Sequence, residues 1–334
     1  MTQNYISGGE SVALLAFEDP DNWDDDAIVH VASNETFIPF GQGVETSVTR
    51  NNNAERVYGV GNRNATATVN TAYGGTLSAN GTLTHAWWLL GVLGSVADAG
   101  SGPFTHTYTE RNALPSFTTK LAYELGDTDA QSILLGCRIN SCTISAAVNE
   151  VAKFSLECPY RYEILGTIAS TNIADTEPVF SFVHGKVEIP NGTVIAAVQS
   201  IELTIVNNLE NVYEVGSRFA RAIVAKQREY NFKVTAAFNS HTKLLTYFFN
   251  GTGSATSPSS GSGTEIATMQ LTFTNDDGDI LEINLTGIHF NEETLPQNQN
   301  EVVKEDVTGW ARALTNVVYT NGIAIAPKEA TNVP

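Results

Sequence analysis

Apolar and polar residues alternate with a period of two through much of the chain, as in Leu121-Ala-Tyr-Glu-Leu125, Cys142-Thr-Ile-Ser145, Val179-Phe-Ser-Phe-Val183 and Met269-Gln-Leu-Thr-Phe-Thr274. Such alternation turns one face of a pleated strand to a core and the other to water, so it predicts a mainly antiparallel β protein. Asp276-Asp-Gly-Asp279 lies between two alternating runs and predicts a hairpin turn, with Gly278 supplying positive φ. Two segments break the period. Leu83, Ala86, Trp87, Leu90 and Leu93 recur at helical spacing, with Thr82 available as N-cap and Gly94 to end the run. Leu244, Leu245, Phe248 and Phe249 do the same behind Asn239 or Ser240 and ahead of Gly251. Helices are therefore expected near 83–93 and 241–250. Each must bury one face on a sheet, because a helix of about eleven residues is marginal alone.

The pattern also repeats over a longer distance. Thr49–Arg63 (TRNNNAERVYGVGNR) and Thr204–Arg218 (TIVNNLENVYEVGSR) lie 155 residues apart and agree at nine of fifteen positions. The shared positions include Asn52/Asn207, Glu55/Glu210, Tyr58/Tyr213, Gly61/Gly216 and Arg63/Arg218. Upstream, Gln42–Glu45 lies opposite Gln199–Glu202; downstream, the two apolar segments answer each other, and each runs into an expected Gly/Ser-rich loop, Gly94–Pro103 and Gly251–Gly263. At a spacing of 151 come Gly136/Gly287, Asn140/Asn291 and Asn149–Lys153 against Asn300–Lys304. These islands predict two copies of one domain of ordinary size, each built as strands, helix, strands. The expected first copy is 1–167 and the second is 178–334 with a C-terminal arm from Thr315. A linker at 168–177 separates them.

Composition narrows the class. The 334 residues are 42% hydrophobic and 16% charged, enough apolar material for two cores. No apolar run is long enough for a membrane-spanning helix, and the Met1 end lacks a signal-peptide pattern, so synthesis in the cytoplasm is the expectation. The net charge is −18, and the halves share it: 8 basic and 18 acidic residues in 1–167, 10 and 18 in the remainder. Such a surface disfavours gripping a phosphate backbone, although it serves solubility and could repel nucleic acid usefully. Cys137, Cys142 and Cys158 form no metal or redox spacing and read as small buried residues.

Candidate chemistry is sparse. The histidines are scattered singly, and no nucleophile elbow, phosphate-binding loop or metal-binding helix motif occurs. The acidic run Glu18–Asp26 and the alternation Asn275, Asp277, Asp279 have enough carboxylates for a cation but lack the rest of a calcium loop, and read as solvated turns. The repeated polar element is different, since both copies keep residues that packing rarely demands. Tyr58, Arg63, Tyr213 and Arg218 are the candidate self-assembly residues, with two explanations open. In one, each arginine pairs with an acid in its own copy; in the other, it reaches an acidic group of an adjacent domain. No catalytic, cofactor-binding or metal-ligating residue is assigned, and no enzyme activity is expected.

Four segments carry a resemblance: Val69–Ser95 (VNTAYGGTLSANGTLTHAWWLLGVLGS), Phe104–Tyr108 (FTHTY), Ser116–Leu125 and Leu135–Ser145 (LGCRINSCTIS). This succession of a strand, an apolar segment ending in Leu-Gly, a threonine-rich strand and a Gly-x-x-Ile-Asn-Ser hairpin resembles the major tail tube protein of long-tailed, siphovirus-like bacterial or archaeal viruses. It covers about 40–165 directly and 190–315 through the repeat, where Glu292 stands in place of Ser141. The resemblance implies a β-barrel or sandwich flanked by one short α-helix in each copy, and self-assembly into stacked rings around a channel for viral DNA. Two copies per chain imply a trimeric ring with pseudo-sixfold symmetry. The implied partners are further copies of the chain, a tape-measure protein and tail terminator or tip proteins, with DNA passing unbound and no membrane insertion. The implied location is the virion tail. The rival expectation is a tandem β-sandwich binding module, such as a tail-tip or carbohydrate-binding protein, for which Trp87 and Trp88 are the nearest exposed-aromatic candidates.

Overall fold

A computed structural model describes residues 11–18, 36–61, 63–125, 128–166, 171–172, 177–181, 183, 185–190, 192–195, 198–237, 247–249, 256–258, 265–294 and 303–323. The alternating segments form strands. In the first half these are β1 (Ser11–Phe17), β2 (Thr36–Pro39), β3 (Gln42–Tyr58), β4 (Ala65–Thr82), β5 (Gly94–Ala99), β6 (Phe104–Glu110), β7 (Phe117–Leu125), β8 (Thr128–Cys137), β9 (Ser141–Ala147), β10 (Lys153–Tyr160) and β11 (Tyr162–Leu165). A helix, α1 (Leu89–Leu93), separates β4 from β5. After β12 (Thr171–Asn172) come β13 (Lys186–Glu188), β14 (Val198–Val206), β15 (Glu210–Val212), β16 (Ala222–Val224), β17 (Glu229–Ala237), β18 (Ile266–Thr274), β19 (Ile280–Thr294) and β20 (Lys304–Asn321).

One sheet runs through both halves. Its order is β13-β18-β19-β20-β17-β14-β9-β10-β4-β3, with the β5–β6 hairpin added to the end of β20. A second sheet, β11-β8-β7-β1-β2-β12, covers the first half, and β15–β16 is a separate ribbon. Between the sheets a continuous apolar core includes Leu77, Trp88, Phe117, Leu134 and Phe154 from the first half and Leu203, Val234, Leu271, Ile283 and Val317 from the second. Strands β19 and β20 are long enough to serve both faces of the second half, and their ladder shifts register between Asn284 and Leu285 and between Phe290 and Glu292, as bulges do where strands bend.

Strand registers agree between the halves at the spacings of the sequence repeat. Thr49 faces Thr76, and Thr204 faces Asn231, each 155 positions on. Ser141 faces Glu157, and Glu292 faces Thr308, each 151 positions on. Gly136 and Gly287 adopt the same left-handed backbone, at φ 64° and 65°, which favours glycine.

Several expectations are corrected. The first helix is only Leu89–Leu93; Leu83–Ala86 is irregular and Trp87–Trp88 form a turn. Thr82 ends β4, and Trp88 occupies the N-cap without a side-chain bond. The reason is that Leu83 is already tied to neighbouring chain: its N–H donates to Ala152 O and its carbonyl accepts from Phe180 N, at 2.8 and 3.0 Å. Gly94 ends the helix as expected, at φ 99°. In the second half Tyr247–Phe249 is helical, whereas 241–246 and 250 lie outside the described residues, as does most of the expected linker. Among the described residues of 179–183 no ladder forms; Ser181 makes one bridge to Val151 while Phe180 is fully buried. The Gly94–Pro103 stretch, expected as a loop, contains β5, and Thr315–Asn321 lies in β20 paired to β6 of the same chain. Asn275–Asp279 forms the expected turn, with Gly278 at φ 86°.

Candidate assembly interface

Past Asn53 of β3 and over Ala65–Thr71 of its partner β4 both faces are exposed, so the hairpin leaves the body as a two-stranded ribbon. Tyr58 and Arg63 stand at its exposed outer end. The corresponding part of the second half is the short β15–β16 ribbon and the loop bearing Tyr213 and Arg218. Exposed large apolar residues recur in pairs on the two ribbons: Val57 and Val212, Tyr58 and Tyr213, Val60 and Val215, Val69 and Val224. Val60 and Val215 are fully exposed, at 108% and 105% of the reference area. Apolar side chains clustered at the tips of polar ribbons mark contact surfaces, since the ribbons have no core of their own to cover them.

Arg218 and Arg63 differ in setting. The guanidinium of Arg218 donates to Asn52 Oδ1 and lies over the rings of Tyr73 and Phe219, 5.5 and 5.9 Å from their centroids. Its carbonyl accepts from Tyr73 N at 2.8 Å. Arg218 thus spans from the second half to the first, but to an amide and an aromatic face rather than to a carboxylate. Arg63 stays on the ribbon tip, exposed.

The halves meet along β9 and β14, a feature the alternation did not reveal because a pattern specifies a face and not a partner. Seven residue pairs join the strands antiparallel, from Ser200 opposite Ala147 to Val206 opposite Ser141. Beyond them, Asn207 N donates to Asn140 O at 2.7 Å, and Leu209 N to Asn140 Oδ1 at 2.9 Å. The buried Asn207 amide donates to Ile139 O and to Val92 O, satisfying a carbonyl of α1, while its oxygen accepts from Arg228 Nε at 2.6 Å. These asparagines belong to the repeated positions Asn52/Asn207 and Asn140/Asn291, which is the signal that could have exposed the junction.

A second lock comes from the β5–β6 hairpin. His106, fully buried on β6, bonds Asp98 at 2.7 Å and Asn321 of β20 at 3.1 Å, and packs with Trp87 and Tyr319. Glu110 accepts from Leu314 N at 3.0 Å and from the Tyr230 hydroxyl. Because Trp87 and Trp88 are buried, they do not form the exposed aromatic site that a sugar-binding module requires.

Three carboxylates are perturbed, and Glu188 is held below its ordinary value by its bond from Lys186. Burial raises the pKa of Glu163, but a bidentate contact from Arg50 at 2.6 and 2.7 Å, with hydroxyls of Ser132 and Tyr73, outweighs it and holds the group below its ordinary value. Glu305, buried near the start of β20, is pushed up to about 7 by desolvation and by the neighbouring Glu293. Glu18 is buried and accepts from Gly136 N and Thr118 Oγ1, both at 2.8 Å; the rest of the acidic run 19–26 lies outside the described residues.

Among the described residues no group of three His, Cys, Asp or Glu is placed to hold a metal ion, and the three cysteines are free and buried, their thiols raised by desolvation. The Asn275 and Asp279 side chains bond each other across the turn at 2.9 Å. A groove of about 210 Å³ is lined by apolar side chains such as Val187, Ile195, Ile201 and Phe273, with Lys186 ion-paired to Glu188.

The β-rich body, with strand edges and apolar ribbon tips exposed among the described residues, suits the class of structural proteins that work by associating. Residues 27–311 match the family described as phage tail tube protein, and the chain belongs to that family. It is a structural, non-enzymatic component of the virion tail that polymerises with itself. A search of curated proteins finds none that matches.

Proposed function

We propose that this chain is the tube subunit of a siphovirus-like tail, carrying two tandem copies of the tube domain, and that three chains close a ring of pseudo-sixfold symmetry. Stacked rings form a conduit through which viral DNA passes without specific binding. The observation that carries this reading is the agreement of strand registers at the spacings of the sequence repeat, Thr49/Thr76 with Thr204/Asn231 and Ser141/Glu157 with Glu292/Thr308. Two alike units joined head to tail present a heterologous contact, and such a contact repeated through a closing rotation makes a ring. Tyr58, Arg63, Tyr213 and Arg218 lie on the ribbons that face other copies, the exposed valines beside them supporting contact between rings.

The surplus of 18 negative charges per chain supports the conduit. An acidic or neutral bore repels a phosphate backbone, whereas a basic one would hold it through many contacts. A tape-measure protein inside and terminator or tip proteins at the ends are the further partners. Negative-stain electron microscopy with native mass measurement tests the reading: threefold rings or tubes support it, and monomers at every concentration with no entry into virion tails overturn it.

A further inference from the structure

The sheet shared by both halves presents two strand segments that, among the described residues, are paired on one side only and fit each other. At one end β3 pairs with β4 alone. In the second half the β18 ladder stops at Ile288, and among the described residues Phe290–Thr294 of β19 pairs only with β20. The equivalent strand of the first half, β9, has β10 on one side and β14 on the other. Among the described residues the junction inside the chain therefore has a counterpart without a partner strand.

We propose that β3 of one chain pairs antiparallel with the Phe290–Thr294 edge of a second copy, in the register that β14 and β9 hold inside the chain, Thr49 opposite Thr294 and Arg50 opposite Glu293. The inference rests on the ring reading above and names its contact.

The register follows from the internal junction. Thr204 faces Thr143, their hydroxyls 2.9 Å apart. The repeat carries Thr204 to Thr49 and Thr143 to Thr294, so the hydroxyl pair is preserved in kind, and in the single chain both members are exposed. It carries Asn207 to Asn52 and Asn140 to Asn291, so the amides that bond across the internal junction are also kept where the chain itself offers no second β9. Retention of both halves of two polar pairs is costly to explain by packing, and direct to explain by a second use of the same contact.

One position differs. Ile205 faces Cys142 inside the chain, both buried. The counterparts between chains are Arg50, whose guanidinium is also held by Glu163 of its own chain, and Glu293, opposite charges where the internal junction is apolar. Glu293 already crowds Glu305, so a cation arriving there meets two carboxylates. Opposite charges favour the second-half edge meeting the first-half edge of the next chain, and like charges disfavour either edge meeting itself.

Disulfide trapping tests the register. Thr49→Cys with Thr294→Cys places two exposed thiols at the predicted pair, while the native cysteines are buried. Within one chain these positions are separated by seven inter-strand spacings in the sheet order, roughly 33 Å along the sheet at about 4.8 Å per spacing, beyond the reach of a disulfide. Oxidised assemblies should give covalent multimers on a non-reducing denaturing gel, in yield about tenfold above Ser47→Cys with Thr294→Cys, which is two residues out of register. Rings seen by electron microscopy without the Thr49/Thr294 link, equal linking by the Ser47 control, or a link within one chain would overturn the pairing and leave the ring reading standing. Absence of rings from the unmodified protein would remove both.

Discussion

The hydroxyl of Thr143 lies 2.9 Å from that of Thr204, across the strand pair that makes one sheet of the two halves. With β9 bonded to β14 on one side and to β10 on the other, no edge is left between the halves for a hinge to open. The β5–β6 hairpin adds a second attachment through β20. The chain is thus built to carry a fixed angle from one half to the next, the property a closing assembly requires.

The Arg50–Glu163 contact ties the exposed ribbon to the second sheet, through β3 on one side and β11 on the other. Arg50→Ala should lower unfolding free energy by about 1–2 kcal/mol at pH 7, between the worth of an exposed pair and the cost of stranding a buried carboxylate. Glu163 has its pKa held down, so its contribution is present above the ordinary value of 4.5 and is lost as pH falls through the lowered value. Urea denaturation at pH 7 and at pH 3 should show the difference between wild type and variant shrinking in acid.

Glu305 has the opposite sign. Its folded-state pKa of about 7 lies above the ordinary 4.5, so the folded chain holds the proton more tightly than the unfolded one. The stabilisation is complete below pH 4.5 and disappears as pH rises to 7. Glu305→Gln, which keeps the amide in the place of the protonated acid, should raise the melting temperature at pH 8 and leave it nearly unchanged at pH 4.5. A variant that is less stable than wild type at pH 8 would show that the ionised carboxylate is the favoured form.

What the sequence disclosed follows from what each pattern encodes. Alternation at Leu121–Leu125 and Met269–Thr274 marked real strands, the second with Met269, Leu271 and Phe273 turned to the core. The same alternation at Val179–Val183 misled, since burial of Phe180 and one bridge satisfy that segment without a ladder. Helical spacing overextended α1 because an irregular chain tied at Leu83 buries the same apolar side chains as a helix. The β5 strand was hidden by its small residues, which carry no pattern until β6 supplies a partner. Arg218 was open between an acid of its own copy and one of an adjacent domain, and it meets Asn52 and Tyr73, groups with no charge to betray the pairing. The repeat marked Asn207 as a shared position but not its role, a buried bridge between strand, helix and Arg228.

The ribbon tips should separate folding from assembly. Val60 and Val215 touch too little of the body to contribute to its stability. Val60→Asp or Val215→Asp should change the melting temperature by less than about 1 °C, because exposed surface positions move stability by within about 0.5 kcal/mol. A carboxylate buried against another copy without a partner costs several kcal/mol, so the same substitutions should abolish long tubes in electron micrographs. Tubes of normal length from both variants would remove the ribbon tips from the contact between rings.

The paired asparagines give the sharpest contrast. Asn207 is buried and holds two carbonyls and the Arg228 guanidinium, so Asn207→Ala strands three partners and should cost about 2–4 kcal/mol in the unassembled chain. Asn52 is exposed in the chain and meets only the solvent-exposed side of that balance, through Arg218, so Asn52→Ala should cost less than about 1 kcal/mol there. If Asn52 repeats between chains what Asn207 does within one, ring yield should fall at least tenfold in Asn52→Ala, about 1.4 kcal/mol for each factor of ten, at unchanged melting temperature. Denaturant unfolding measures the first quantity and sedimentation the second. Equal loss of stability in the two variants, or full ring yield from Asn52→Ala, would break the equivalence of the two positions and confine the asparagine bridge to the interior of the chain.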